Sequence, residues 1–114
     1  MIKIHFWQDG QRGTVHMKVS GHANAAPKGE DVVCSAATML VYTVAQALTF
    51  MNEQGQLAEK PRISIREGKA LVVARPREDY LAEALHTFWV AQCGAHVLAK
   101  NYPDHVVLNH LKPL

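Results

Sequence analysis

From Val32 to Asn52 the chain carries no charged residue, and Asp31 and Glu53 bound the stretch on either side. Its length would nominally span a bilayer. Ser35, Thr38, Tyr42, Thr43, Gln46 and Thr49 interrupt it, and no basic cluster flanks it. The stretch therefore reads as a long helix of a soluble fold, with no membrane as partner. Asp31 is a plausible N-cap, so the helix is expected from Val32 to about Asn52. A helix without a lysine or arginine on its surface is expected to be largely buried. A sheet supplies one cover and a second subunit another, so a homodimer is expected.

What surrounds this helix fixes the fold class. Ile2 to Gln8 alternates, with Ile2, Ile4 and Phe6 on one face. Asp9-Gly10-Gln11-Arg12-Gly13 is turn chemistry, and Thr14 to Ser20 alternates again through Val15, Met17 and Val19. This is a β-hairpin. Arg62 to Arg66 and Ala70 to Ala74, joined by Glu67-Gly68-Lys69, make a second one. Pro76 breaks it, and Asp79 to about Lys100 reads as a second helix with Leu81, Leu85, Phe88, Ala95 and Leu98 near one face. Pro103 stops that helix, and Val106 to Leu111 is a short last strand. The order ββαββαβ, with a mostly antiparallel sheet and two long helices, is an α+β fold. Its 114 residues suit one domain over 1–114, and an apolar share of 48% against 19% charged excludes a disordered chain.

Charge narrows the partners. The net charge is +2, and Lys3, Arg12, Lys18, Lys28, Lys60, Arg62, Arg66, Lys69, Arg75 and Arg77 are scattered along the sequence. A nucleic-acid binder concentrates its cations in a patch, so no direct nucleic-acid partner is expected. Cys34 and Cys93 are the two cysteines, which is no secreted disulfide framework. The N-terminus has strand alternation rather than the apolar run of a signal peptide, so the cytoplasm is the expected location.

Chemistry concentrates between Ser20 and Ser35. If Asp31 caps the helix, Cys34 is its third residue, beside unpaired backbone N–H groups at the positive end of the dipole. That setting favours thiolate, and the same N–H groups could serve an oxyanion. On position alone Cys34 reads equally as a small space-filling residue. His22, flanked by Gly21 where the second strand ends, shifts the balance. The loop from Gly21 to Glu30 is built of small residues and is expected to move, returning to the helix start near Cys34. Imidazole beside thiol is the nucleophile and acid–base pair of a cysteine peptidase. Asp31 either caps the helix or orients His22. Gly21 and Gly29 frame the loop, where positive φ is expected. His22 and Cys34 supply only two ligands, and the other six histidines lack metal-ligand spacing, so neither metal nor other cofactor is expected. Cys93, beside Gly94 in the second helix, reads as an inert buried thiol, and Trp7, Phe88, Trp89 and Tyr102 as core or interface.

Gly21-His22-Ala23, Gly29 and Asp31-Val32-Val33-Cys34 resemble the signature of the ribosomal-processing cysteine protease family called Prp. The resemblance extends over the whole chain. It implies an α+β homodimer that removes a short N-terminal extension from the large-subunit ribosomal protein L-twenty-seven, cleaving after a pair of phenylalanines. It makes Cys34 the nucleophile and His22 its acid–base partner, with Asp31, Gly21 and Gly29 in support. Thr38 stands where members of the family often have serine. A competing reading of the same residues is a non-catalytic ribosome- or RNA-associated module in which His22 and Cys34 are structural.

Overall fold

Four strand-forming runs become two hairpins, and both helices lie on one side of the sheet that the hairpins build. The computed structural model describes residues 1–21 and 28–109, the side chains of 28–31 excepted. The strands are β1 (Ile2–Asp9), β2 (Thr14–Ser20), β3 (Arg62–Arg66), β4 (Lys69–Ala74) and β5 (Val106–Asn109). The helices are α1 (Lys28–Glu53), between β2 and β3, and α2 (Leu81–Asn101), between β4 and β5. A 3₁₀ turn at Glu78–Tyr80 leads into α2, where sequence periodicity suggested continuous helix. The element order and the α+β class are those expected. Residues 110 and 111, expected to extend β5, lie outside the described residues.

The sheet order is β3-β4-β2-β1-β5, antiparallel except for the parallel pair β1 and β5. In the β1–β2 turn the Asp9 carboxylate accepts hydrogen bonds from the backbone N–H of Gln11 and Arg12 at 3.1 and 3.2 Å. Gly13 closes the turn at φ +66°, a conformation that glycine adopts freely. Pairing then sets Phe6 opposite Met17, Ile4 opposite Val19, and Met17 opposite Val72.

These residues point to the helices, and together they form the core. Ile2, Ile4, Phe6, Val15, Met17 and Val72 join Val33, Ala37, Val41, Val44 and Leu48 of α1 and Ala84, Phe88 and Ala95 of α2 in one buried cluster. The steps along α1 are three and four residues, one face of a helix. Leu85, Phe88, Ala95 and Leu98 are buried on α2 as their spacing indicates. Gly94 makes the helix contact close, since a Cβ there would lie 2.7 Å from Leu40 Cδ2.

Two expectations about burial change. Only the sheet-facing side of α1 is covered by the chain itself. Val32, Met39, Tyr42 and Phe50 are each more than half exposed, so the helix is not largely buried within one chain. Cys93 is exposed rather than buried, because it falls on the outer side of α2 with Val90 and Val97.

Candidate active site

Cys34 opens into a cleft of about 460 Å³ between α1 and the β3–β4 hairpin. Helical spacing brings Cys34, Ala37, Thr38, Val41 and Tyr42 to one wall. The other wall comes from Ile65 to Ala70, the end of β3, its turn and the start of β4. Ile2, Val19 and Gly21 form the floor, where β1 begins beside the end of β2. Val19, Val41 and Ile65 make the interior apolar, whereas Arg66, Glu67 and Lys69 set charge of both signs at the rim. Such a cleft suits a peptide that inserts apolar side chains and keeps its polar backbone near the rim.

Cys34 is half-buried and unpaired with Cys93, so its sulfur is a free thiol in reach of the cleft. Its place in the helix differs from expectation. α1 begins at Lys28, which makes Asp31 the fourth helical residue rather than the N-cap, and Cys34 the seventh rather than the third. The unpaired N–H groups of an α-helix are its first four. They lie in the turn before Cys34, and dipole effects fade within that turn. An oxyanion hole made by helix-start N–H groups immediately at Cys34 is therefore not what the helix provides. The early start has a sequence signal of its own. Pro27 stands just before Lys28, and Glu30 and Asp31 put acidic residues in the first turn.

His22 lies outside the described residues, as does the side chain of Asp31. The histidine pairing and the role of Asp31 thus have no geometry here. The segment read as a loop through Glu30 becomes helix at Lys28, and its residues 22–27 lie outside the described residues. Gly29, as a helical residue, has no use for the positive φ expected of it.

Gly21 does adopt positive φ, at +105°. A Cβ there would also run into the carbonyl of Met1, against which the backbone packs. Its N–H donates to the Gly68 carbonyl at 3.0 Å. Gly21 therefore ties the exit of β2 to both the N-terminal strand and the β3–β4 turn. It is a fixed anchor of the cleft, and a β-branched replacement is not the mild change that a simple loop glycine would allow.

The β3–β4 turn as a cleft wall was not foreseen. Glu67-Gly68-Lys69 was legible only as a turn. Its position beside Cys34 depends on β4 pairing with β2, with Lys69 opposite Ser20, and no local signal carries that. Thr38 and Tyr42, two of the polar residues that interrupt the uncharged stretch, line the same cleft as Cys34.

A family model described as cysteine protease Prp matches residues 1–107. No curated protein matches the sequence. Among solved structures, the chain is similar to an essential ribosomal processing protease Prp from S. aureus in complex with a substrate peptide. The TM-score is 0.69 at 20% identity, covering 97% of this chain and 100% of that one. The same S. aureus protein with a covalently linked product peptide gives a TM-score of 0.66 at 20% identity, over 97% and 100% of the two chains. A protein from Streptococcus mutans gives 0.68 at 20% identity, over 96% and 92%. At these identities the structures share the fold. The family model spans nearly all of the described sheet, both helices and the thiol cleft, and the chain accordingly belongs to the cysteine protease Prp family.

Proposed function

We propose that this cysteine protease is a site-specific endopeptidase that removes the N-terminal extension of the large-subunit ribosomal protein L-twenty-seven, cleaving after a Phe-Phe pair. The observation that carries the reading is that Cys34 and Gly21, the chain neighbour of His22, line the same apolar-walled cleft. The S. aureus protease of the same fold is a ribosomal processing enzyme and was crystallised with a substrate peptide. A ribosomal-protein substrate places the enzyme in the cytoplasm.

In the proposed mechanism His22 takes the Cys34 proton, and Sγ attacks the carbonyl carbon of the second phenylalanine. The tetrahedral adduct collapses as His22 returns the proton to the departing amine. Water, activated by the same imidazole, then releases the trimmed extension from the thioester. Asp31, at the fourth position of α1, belongs to the turn preceding Cys34, so its proposed part is support of the histidine or of the helix start. The chemistry calls for neither metal nor cofactor. Incubating the enzyme with the extended ribosomal protein tests the reading by mass spectrometry. The expected product begins after Phe-Phe. Cleavage elsewhere, or cleavage by Cys34→Ala, would defeat it.

We propose further that the active form is a homodimer joined through the outer helical layer. Val32, Met39, Tyr42 and Phe50 on α1 and Val90 and Val97 on α2 leave apolar surface uncovered in one chain. Light scattering should give twice the mass of one chain at micromolar concentration, and Met39→Glu should shift it to monomer. A monomer from the unmodified protein would remove the proposal.

A further inference from the structure

The helices cover one side of the sheet and leave the other open. Alternation puts Lys3, His5 and Trp7 of β1, His16 and Lys18 of β2, and Arg62 of β3 on this outer side, opposite the residues that enter the core. The cross-strand row Trp7, His16, Val73, Arg62 runs across four strands. Trp7 stacks on His16 with centroids 4.5 Å apart and planes at 11°, and His5 meets the same indole at 4.7 Å and 34°. Three aromatic rings thus stand together on an open sheet face. The Thr14 hydroxyl and His16 Nε2 are hydrogen-bonded at 2.8 Å, fixing the edge of the stack.

Beside this stack lies a second cleft, of about 510 Å³. Arg12, Lys60, Arg62 and Arg75 line it, and among its described lining residues Glu59 is the one carboxylate. Asp9, nearby, accepts from backbone N–H groups of the turn and faces Arg12 at 3.9 Å. Cations scattered through the sequence are gathered by strand register into one basic cleft and one basic face. A cluster of like charges costs stability through self-repulsion unless an anion relieves it.

We propose that this outer sheet face and its basic cleft bind single-stranded RNA. Phosphates occupy the cleft between Arg12, Lys60, Arg62 and Arg75, and an unstacked base extends the row of Trp7 and His16. A row of aromatic rings flanked by cations is the arrangement that single strands need, because a duplex keeps its base faces covered. The choice of RNA over DNA rests on the proposed ribosomal substrate, whereas the binding surface stands on geometry alone. The surface lies away from Cys34, so the enzyme would hold RNA while the thiol cleft acts on a peptide.

The test uses the full chain in the Cys34→Ala form, with a labelled twelve-nucleotide oligouridylate followed by fluorescence anisotropy. Micromolar binding is expected, with a salt slope of about −0.7 for each phosphate neutralised. Arg62→Ala with Arg75→Ala should weaken binding about tenfold or more and flatten the slope. Trp7→Leu should weaken it about tenfold with the slope unchanged. Both arginines are exposed, so the double variant should keep its fold by circular dichroism even if the tryptophan variant does not. No binding at 0.1 M salt, or equal binding by the arginine variant, would overturn the proposal. Preference for duplex RNA, or equal affinity for oligothymidylate or polyglutamate, would overturn it as well. Peptide cleavage by the arginine variant in the Cys34 background should be unchanged. Loss of RNA binding and failure of the peptidase reading are thereby told apart.

Discussion

The two clefts sit at opposite ends of the same strands and differ in almost every chemical respect. One lies where β2 ends and β4 begins, with Cys34, apolar walls and a mixed rim. The other lies where β2 begins and β4 ends, with four cations. Their sizes, about 460 and 510 Å³, are similar. Size therefore does not separate them, and the side chains do. A nucleophile needs a site that holds a peptide bond still beside it and admits one water to release the product. A polyanion needs exposed cations that never bury their charge. Placing the two demands at opposite strand ends lets each surface be altered without the other.

The sharpest way to break that separation is Cys34→Ala. Cleavage should fall by about 10⁴-fold or more, since no other group supplies the nucleophile. Denaturant stability should stay within about 0.5 kcal/mol, because alanine suits a helix and the thiol is only half-buried. An unfolded variant, or one that still cleaves, would remove Cys34 from its role.

Much of this contrast was legible in the sequence, and the reason for the limit is physical. Alternation over β1 and β2 and three–four spacing over α2 are local periodicities, and both the elements and their core faces follow from them, whereas over β3 the alternation yields the strand but no core face, since Ile63 stays exposed. Cys34 and Gly21 stand out in the sequence because cysteine occurs only twice and Gly21 falls where an alternating strand stops, and the two line one cleft. The start of α1 was missed because Pro27 and Gly29 look like loop, although a proline just before a helix and a glycine within its first turn are both tolerated there. The cleft wall at Glu67 to Lys69 and the gathering of Arg12, Arg62 and Arg75 depend on which strands become neighbours. Register between distant segments is written in no local pattern, so cations that are scattered in sequence converge in space.

A second test concerns the two glycines at the two ends of the β1–β2 hairpin. Gly21, beside the thiol cleft, combines φ of +105° with a backbone carbonyl where a Cβ would go. Gly21→Val should cost about 2–4 kcal/mol in urea unfolding, from backbone strain and displacement of Met1. Gly10, in the turn at the opposite end, has nothing within 4 Å of a Cβ, and Gly10→Val should stay within about 0.5 kcal/mol. Equal effects at both ends would mean that the close approach to Met1 is not maintained in solution.

The smallest expected effect is a pH dependence at the basic end. His16 is held below its ordinary pKa of 6.5, first by desolvation and then by the positive charge of Arg62, with Arg12 adding to it and Asp9 opposing. The folded protein therefore resists protonating this ring, while the unfolded chain takes the proton at about pH 6.5. Below that pH the unfolded state binds more protons, so stability rises with pH through the window from the folded pKa up to about 6.5 and is flat above it, as far as this group is concerned. The stability attached to a neutral His16 is thus present at neutral pH and lost as the solution is acidified. His16→Gln keeps a polar partner for Thr14 and cannot titrate, so its urea midpoint should fall less steeply than that of the unmodified protein between pH 6.5 and pH 5. Arg62→Ala should move the ring upward toward 6.5 in an NMR titration, and bound RNA should move it the same way by neutralising the cleft. A His16 that titrates at its ordinary value, or one indifferent to Arg62, would mean that the cations do not converge on the stack, and the contrast between the two clefts would lose its electrostatic half.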